Sequence, residues 1–402
     1  MLDLDACADF DAARDAEFFA RLPQRPAVFR IEPRADLAGA EPYLLRTADL
    51  RRRLERLLGA PDPASKRLNL RNFAGRVVYR VAGSQFELRY VHWLHVRARW
   101  PAAYRERMHM RPPAMLKVNL ANAYPRCTVT RRISASGFYH GPFASRRAAE
   151  AFSSRFLDLF KIRRCQIKIR RDPDYPGCIY SEMKMCLAPC FAGCTKPEYD
   201  AEVTRVVAFL STGGQSLAQE LETARDSASE QQDFERARVV HRQIEKAEDV
   251  LRGVPELARR LEDLNAVVLQ AAAEPQTVTL FALHAGRIAE PYLLRFSELA
   301  SQPRSAETIL REALEPGAAQ PNRDNPRELE DHLALLARWY YSKPRAGEIF
   351  FRSGPSADDW PYRRILRGCS RILEPKPNAP PKPTTKPAPA PPTKIDPSEP
   401  EA

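Results

Sequence analysis

Residues 137–190 read GFYHGPFASRRAAEAFSSRFLDLFKIRRCQIKIRRDPDYPGCIYSEMKMCLAPC, and this stretch decides how the rest of the chain is read. Its second half carries Cys165, Cys178, Cys186 and Cys190, spaced C-x12-C-x7-C-x3-C over 26 residues. Four thiolates at that density can close a shell around an iron–sulfur cluster or a zinc ion, and spacing alone does not separate the two. Pro189 stiffens the CLAPC turn between the last two sulfurs. Arg163, Arg164, Lys168, Arg170, Arg171 and Lys184 crowd the loop, and cations favour thiolates. The plainer reading is four structural thiols in a reducing compartment. Cys7, Cys127, Cys194 and Cys369 read as ordinary thiols, with Cys194 near enough to be an alternate ligand.

The first half predicts a turn over GFYHGPFAS and then an amphipathic helix that delivers the chain to Cys165. Arg146, Arg147 and Arg155 on that helix, with Arg163 and Arg164 beside the first cysteine, are candidate contacts to DNA phosphate. On charge alone, a solvated helix face accounts for the first three equally well.

Composition sets the bounds. The 402 residues carry 63 Lys+Arg against 51 Asp+Glu, a net charge of +12, which points to a polyanion such as nucleic acid. The start, MLDLDACADFDAARDAEFF, is acidic and reads as neither a signal peptide nor a membrane span. Eight cysteines are too few for a disulfide scaffold, so a cytoplasmic location is expected. Eleven of the 36 prolines fall in residues 374–402, which predicts a disordered, partly polyproline tail.

On the N-terminal side, residues 1–20 read as a short helix or arm, and 26–31, 43–46 and 77–82 read as strands. Residues 48–58 read as a helix with a leucine stripe. Residues 84–98 read as a helix capped by Ser84 with Glu87 completing a capping box. MLKVNLANAYPRCTVTRRI holds a pair of strand-like runs. On the C-terminal side, 197–253 read as helices broken at Gly213-Gly214, the last two forming a hairpin. Phe234, Ala237, Val240, Ile244 and Ala247 would make its apolar stripe. Strands follow over 264–296, then a helix at 329–340 and a strand, EIFFR.

GFYHGPFAS, RRC, CLAPC and DFERARVVHRQIE taken together resemble the UvrC family of bacterial nucleotide excision repair, over about residues 20–352 and best over 123–251. The resemblance implies an α/β multidomain fold. Its parts would be a divergent GIY-YIG-like α/β nuclease domain (1–112), a Cys-rich cluster-binding linker (113–196), a UVR-like helical hairpin (197–255), a small strand-rich region (256–370) and the disordered Pro-rich tail (371–402). No RNase H-like nuclease domain fits after residue 370, which resembles a short, Cho-type layout. The family implies an iron–sulfur cluster on the four cysteines, with zinc as the alternative. It implies DNA and UvrB as partners, UvrA acting upstream, a setting in the SOS response, and UvrB docking through Phe234, Glu235, Arg238 and Gln243. His241 and Arg242 stand where the family has an Arg-Asp pair.

The GIY-YIG resemblance also assigns catalytic positions. Such a centre needs a tyrosine to activate water, an arginine to offset phosphate charge and a carboxylate to hold Mg²⁺ or Mn²⁺. Tyr43 and Arg53 fall on the tyrosine and arginine, and Arg46 replaces a lysine. Phe29 replaces a tyrosine, Leu45 a glycine, His92 the metal-binding glutamate and Tyr104 an asparagine. Imidazole is a poor magnesium ligand, so an impaired endonuclease centre is expected. A softer metal on His92 and His95 is a lesser possibility, and Glu87 lies on the wrong side of its helix to substitute. The expectation is therefore a repair protein that binds DNA and UvrB. The alternatives are an active Cho-type endonuclease and a redox-sensing DNA-binding regulator.

Overall fold

The chain alternates short β-rich runs with helices whose apolar faces close over them, giving three sheets among the residues described. The computed structural model describes residues 2–37, 39–62, 64–134, 136–299, 304–315 and 325–374.

The first sheet is antiparallel and ordered β1-β4-β2-β3. It is built from β1 (Ala6–Asp9), β2 (Ala27–Pro33), β3 (Tyr43–Thr47) and β4 (Ala74–Val81), with helices α1 (Asp15–Arg21), α2 (Leu50–Leu58), α3 (Gln85–Arg99) and α4 (Tyr104–Arg107). Ala27, Val28, Phe29 and Ile31 of β2 are all fully buried because both faces of the sheet are covered. Phe29, Ile31, Leu50, Leu54 and Phe18 form the core on the α1–α2 face. Val28 and α3 share a second core on the other face. Ser84 caps α3 as expected, its Oγ accepting from the Glu87 N–H at 3.1 Å. The Glu87 carboxylate turns instead to the Gly83 N–H at 2.9 Å, so only half of the expected capping box forms.

The second sheet, β6-β5-β7-β8, comprises β5 (Ala114–Val118), β6 (Cys127–Thr130), β7 (Phe138–Phe143) and β8 (Arg259–Arg260). The turn expected at GFYHGPFAS is instead strand β7, buried at every position. Gly141 and Pro142 are tolerated because the β5–β7 pairing shifts register between Ala114 and Leu116, an irregularity that absorbs residues unsuited to a regular ladder. The predicted helix follows as α5 (Arg146–Leu157), then α6 (Ile179–Glu182), α7 (Lys196–Ser211), α8 (Gln215–Glu230) and α9 (Phe234–Leu251). Gly213 and Gly214, at φ +62° and +93°, make the left-handed turn between α7 and α8. Helices α8 and α9 form the expected hairpin, closed by Leu217, Leu221, Val240, Ile244, Ala247 and Val250. Phe234 does not join this stripe and is 71% exposed. It is the first residue of α9, at the hairpin tip, beyond the last turn of α8.

The third sheet runs β11-β10-β9-β13, with β12 also paired to β10. Its elements are β9 (Ala266–Ala271), β10 (Thr277–His284), β11 (Arg287–Ile288), β12 (Tyr292–Arg295), α10 (Phe296–Leu299), α11 (Ala306–Leu314), α12 (Pro326–Tyr340), β13 (Glu348–Phe351) and α13 (Tyr362–Leu373). Helices α11 and α13 cover one face. The predicted tail accordingly starts later than residue 371, since Arg371–Leu373 finish α13; residues 375–402 lie outside those described. Helix α13 was not anticipated, although Tyr362, Ile365, Leu366, Cys369, Ile372 and Leu373 repeat at helical spacing with the four arginines on the opposite face.

Helix α12 covers the other face and joins the third sheet to the first. Phe86 of α3 meets Phe281 edge-on at 4.8 Å and Trp339 at 5.6 Å, and Trp93 meets His332 at 4.8 Å. Each aromatic side chain buried there contributes about 1.5–3 kcal/mol relative to exposure.

Candidate functional site

Tyr43 and Arg53 come together. The turn from β3 into α2 is fixed by Asp49, whose carboxylate accepts from the Arg52 N–H at 3.0 Å. Arg53, one residue on, then donates its Nη2–H to the Tyr43 phenol oxygen at 3.2 Å. Phe29 lies under the pair, fully buried, with its ring 6.3 Å from that of Tyr43. The position offers packing and no hydrogen bond.

Arg46 and His92 stand apart from that pair. Successive side chains of a strand point to opposite faces, so Tyr43 and Leu45 pack on the α1–α2 core while Leu44 packs against the α3 side. Arg46 follows Leu44 to the α3 side, where it lies in electrostatic range of His92. Burial, then Arg46, then His95, pushes His92 down to about 4, and its Nδ1 has no hydrogen-bond partner. His95 is occupied by the Leu2 carbonyl at 3.2 Å. Glu87, held in the α3 cap, is raised by burial. Among the described residues no group of three His, Cys, Asp or Glu side chains converges as a metal site.

Tyr104 is structural in its contacts. Its hydroxyl donates to Asp331 of α12, which also accepts from Trp93 Nε1 at 3.3 Å and from Arg105 Nε at 2.7 Å. Asp331 is 1% exposed.

Two arginines that sequence reasoning missed complete the surroundings of Arg46: Arg89 on α3 and Arg338 on α12. With His92 they line a cleft of about 840 Å³ between the first sheet, α12 and the start of α5. Residue 338 is far from 46 in sequence, and no motif links them; only the fold brings them together.

The four cysteines gather in one loop region. Cys186 feels Cys165, Cys178 and Cys190 electrostatically, although burial is the main influence that raises its pKa, to about 11. The Ala188 N–H donates to Cys186 Sγ at 3.3 Å, and Ala188 and Ala192 adopt left-handed backbone that folds CLAPC back on itself. By donor type four thiols suit an iron–sulfur cluster or zinc, although as placed their sulfurs do not converge as a metal-holding group. Cys194 packs into the second core.

The basic candidates divide. Arg147 and Arg155 are exposed on α5. Arg146 pairs with Glu150, and Arg164 pairs with Asp158, each at 2.7 Å. Arg163 is corrected from a surface to an interior residue: it is 8% exposed and donates to the Tyr124 and Ile167 carbonyls at 2.8 Å. At the hairpin, Phe234, Glu235, Arg238 and Gln243 are all exposed, joined by Val239.

Comparison with known proteins bears on this arrangement. The family model described as UvrC/Cho excinuclease, middle domain, matches residues 114–209. Three curated relatives each carry the name UvrABC system protein C. The one from Moorella thermoacetica is 23% identical over 340 residues, 84% of this chain and 54% of the relative. The one from Ruminiclostridium cellulolyticum is 29% identical over 43% of this chain and 28% of its own length. The one from Chlamydia caviae is 26% identical over 46% and 31% respectively. No solved structure matches the chain. By these matches the chain is similar to UvrC proteins, over residues 114–209 to their middle domain, and it spans about half or less of the length of the relatives it matches.

Proposed function

We propose that this protein acts in nucleotide excision repair as a DNA-binding factor that docks a UvrB-type partner and does not itself cut DNA. In this reading residues 1–112 are a divergent GIY-YIG-like domain, and the CLAPC loop holds an iron–sulfur cluster or zinc. The α8–α9 hairpin is a UVR-like module that presents Phe234, Glu235, Arg238 and Gln243 to the partner. The observation that carries the reading is the separation of His92 from Tyr43: the residue at the metal-ligand position is an unpaired imidazole among arginines, on the other face of β3 from the Tyr43–Arg53 pair. A divalent metal would supply Lewis acidity at the scissile phosphate, and among the described residues no carboxylate-bearing group converges to hold one.

The second reading, an active Cho-type endonuclease, is favoured by one observation, the retained hydrogen bond between Arg53 and Tyr43. A nicking assay decides between them. A lesion-bearing duplex is incubated with the protein, with and without UvrA and UvrB, in Mg²⁺ and then Mn²⁺. Absence of incision beside intact DNA and partner binding supports the first reading. Incision that Tyr43→Phe and Arg53→Ala both abolish establishes the second.

A further inference from the structure

The cleft beside β3 is lined by Arg46, Arg89, Arg107, Arg111, Arg131 and Arg338, with His92 and His109, and by no aspartate or glutamate. Of the six arginines, Arg107 is matched by Glu41, which lies outside the lining. The half-buried Arg46 and Arg89 and the exposed Arg338 are not matched. The charges that act on Arg46 and Arg89 are other arginines: Arg338 on Arg46, and Arg338 with Arg46 on Arg89. Both are held below the usual arginine range, by burial first and by these like charges second. Arg89 Nε is buried with no hydrogen-bond partner, and so is Nδ1 of His92, a side chain more than nine-tenths buried.

Gathering guanidinium groups in a half-buried cleft without counter-charge is unfavourable in the free protein, because burial and like charges both oppose ionisation. Guanidinium groups remain ionised nonetheless. The N-terminus of α5 also opens here, since Ala144 and Ser145 line the cleft and α5 begins at Arg146, adding the positive end of a twelve-residue helix. A cleft lined by one sign of charge focuses the field and raises the local concentration of the opposite ion. The planar fork of arginine matches phosphate oxygens two at a time.

We propose that Arg46, Arg89 and Arg338, with His92 behind them, form a phosphoryl-anion site shared between the first sheet and α12. The site goes beyond the repair reading, since it requires only a phosphoryl group, whether inorganic, at a DNA end or in a DNA backbone.

The test is calorimetric titration of the full chain at fixed ionic strength with three probes: inorganic phosphate, a 5′-phosphorylated dT tetranucleotide and the same tetranucleotide without the 5′-phosphate. Saturable binding of at least one probe, weakened tenfold or more by Arg338→Gln and by Arg89→Gln but not by Arg363→Gln on α13, is the expected result. Preference for the 5′-phosphorylated strand assigns a terminal phosphate, and equal binding of both strands assigns internal phosphodiesters. Relief of like-charge repulsion predicts that Arg338→Gln leaves the melting temperature of the unliganded protein unchanged or raised. Absence of saturable binding, or binding that neither cleft substitution weakens, overturns the proposal. So does a melting temperature lowered by Arg338→Gln with binding retained. Duplex DNA binding that persists when the cleft variants lose phosphate leaves the repair reading intact, and the two ideas therefore fail separately.

Discussion

Arg53 reaches back across the β3–α2 turn to donate a hydrogen bond to Tyr43 at 3.2 Å, while Arg53 Nε is buried without a partner. Among the described residues no group of acidic or histidine side chains converges beside the pair as a metal site.

Asp331 is the buried anchor of α12. It accepts from Tyr104, Trp93 and Arg105 at once and is 1% exposed. Asp331→Ala leaves the Arg105 guanidinium and two further donors short of a partner. Removing one member of such a buried network costs about 3–5 kcal/mol, to be read in urea unfolding. A loss below about 1 kcal/mol would show that water replaces the carboxylate.

Three buried histidines make stability depend on pH. Burial holds His92, His140 and His332 each at about 4, below the ordinary 6.5. Between those values the unfolded chain binds protons that the folded chain refuses, so stability rises with pH across the window. It is fully present above about pH 6.5 and is lost as pH falls towards 4. Denaturation midpoints measured from pH 7 to pH 5 should fall. His140→Leu should flatten that fall, since the His140 ring is 4% exposed and stacked on Phe152. An unchanged slope in the variant would place the effect elsewhere.

Phe234 separates folding from docking. At 71% exposure its removal exposes no core, so Phe234→Ala should change unfolding free energy by less than about 0.5 kcal/mol. Binding to UvrB, measured by calorimetry, should weaken tenfold or more if the tip is the contact. Equal affinity of wild type and variant would remove the hairpin tip from the interface.

Arg147 and Arg155 are the exposed, unpaired cations of α5. Arg147→Ala and Arg155→Ala should each lower the salt dependence of DNA binding by about one phosphate contact. Arg163→Ala should act instead through folding, because its guanidinium holds the Tyr124 and Ile167 carbonyls. A salt slope that the two α5 changes leave untouched would place the DNA on another face.

The CLAPC loop predicts a coloured protein. Anaerobically purified chain should carry iron and absorb visible light, and Cys186→Ala should bleach it. Stoichiometric zinc without visible absorbance would assign the loop to zinc.

Much of the architecture was legible because it rests on local signals. The Ser84 cap, the Gly213-Gly214 break and the leucine stripe of α2 each announce an element through its own residues. Strand β7 was not legible, since glycine and proline punctuate turns more often than they sit inside paired strands. Within the candidate site, the meeting of Tyr43 with Arg53 was expected only through the family resemblance of PYLLRTADLRRRL. The burial of Arg163 and the meeting of Arg46 with Arg89 and Arg338 did not, because long-range packing sets both.

Helix α12 is a splint. It is pinned to α3 through Asp331 and to the third sheet through Leu329, Leu333 and Leu336, so the arginine cleft has no hinge of its own among the described residues. A ligand entering it meets a backbone frame already cast, in which Arg46 and Arg89 sit half-buried while the exposed Arg338 side chain is free to turn towards the guest.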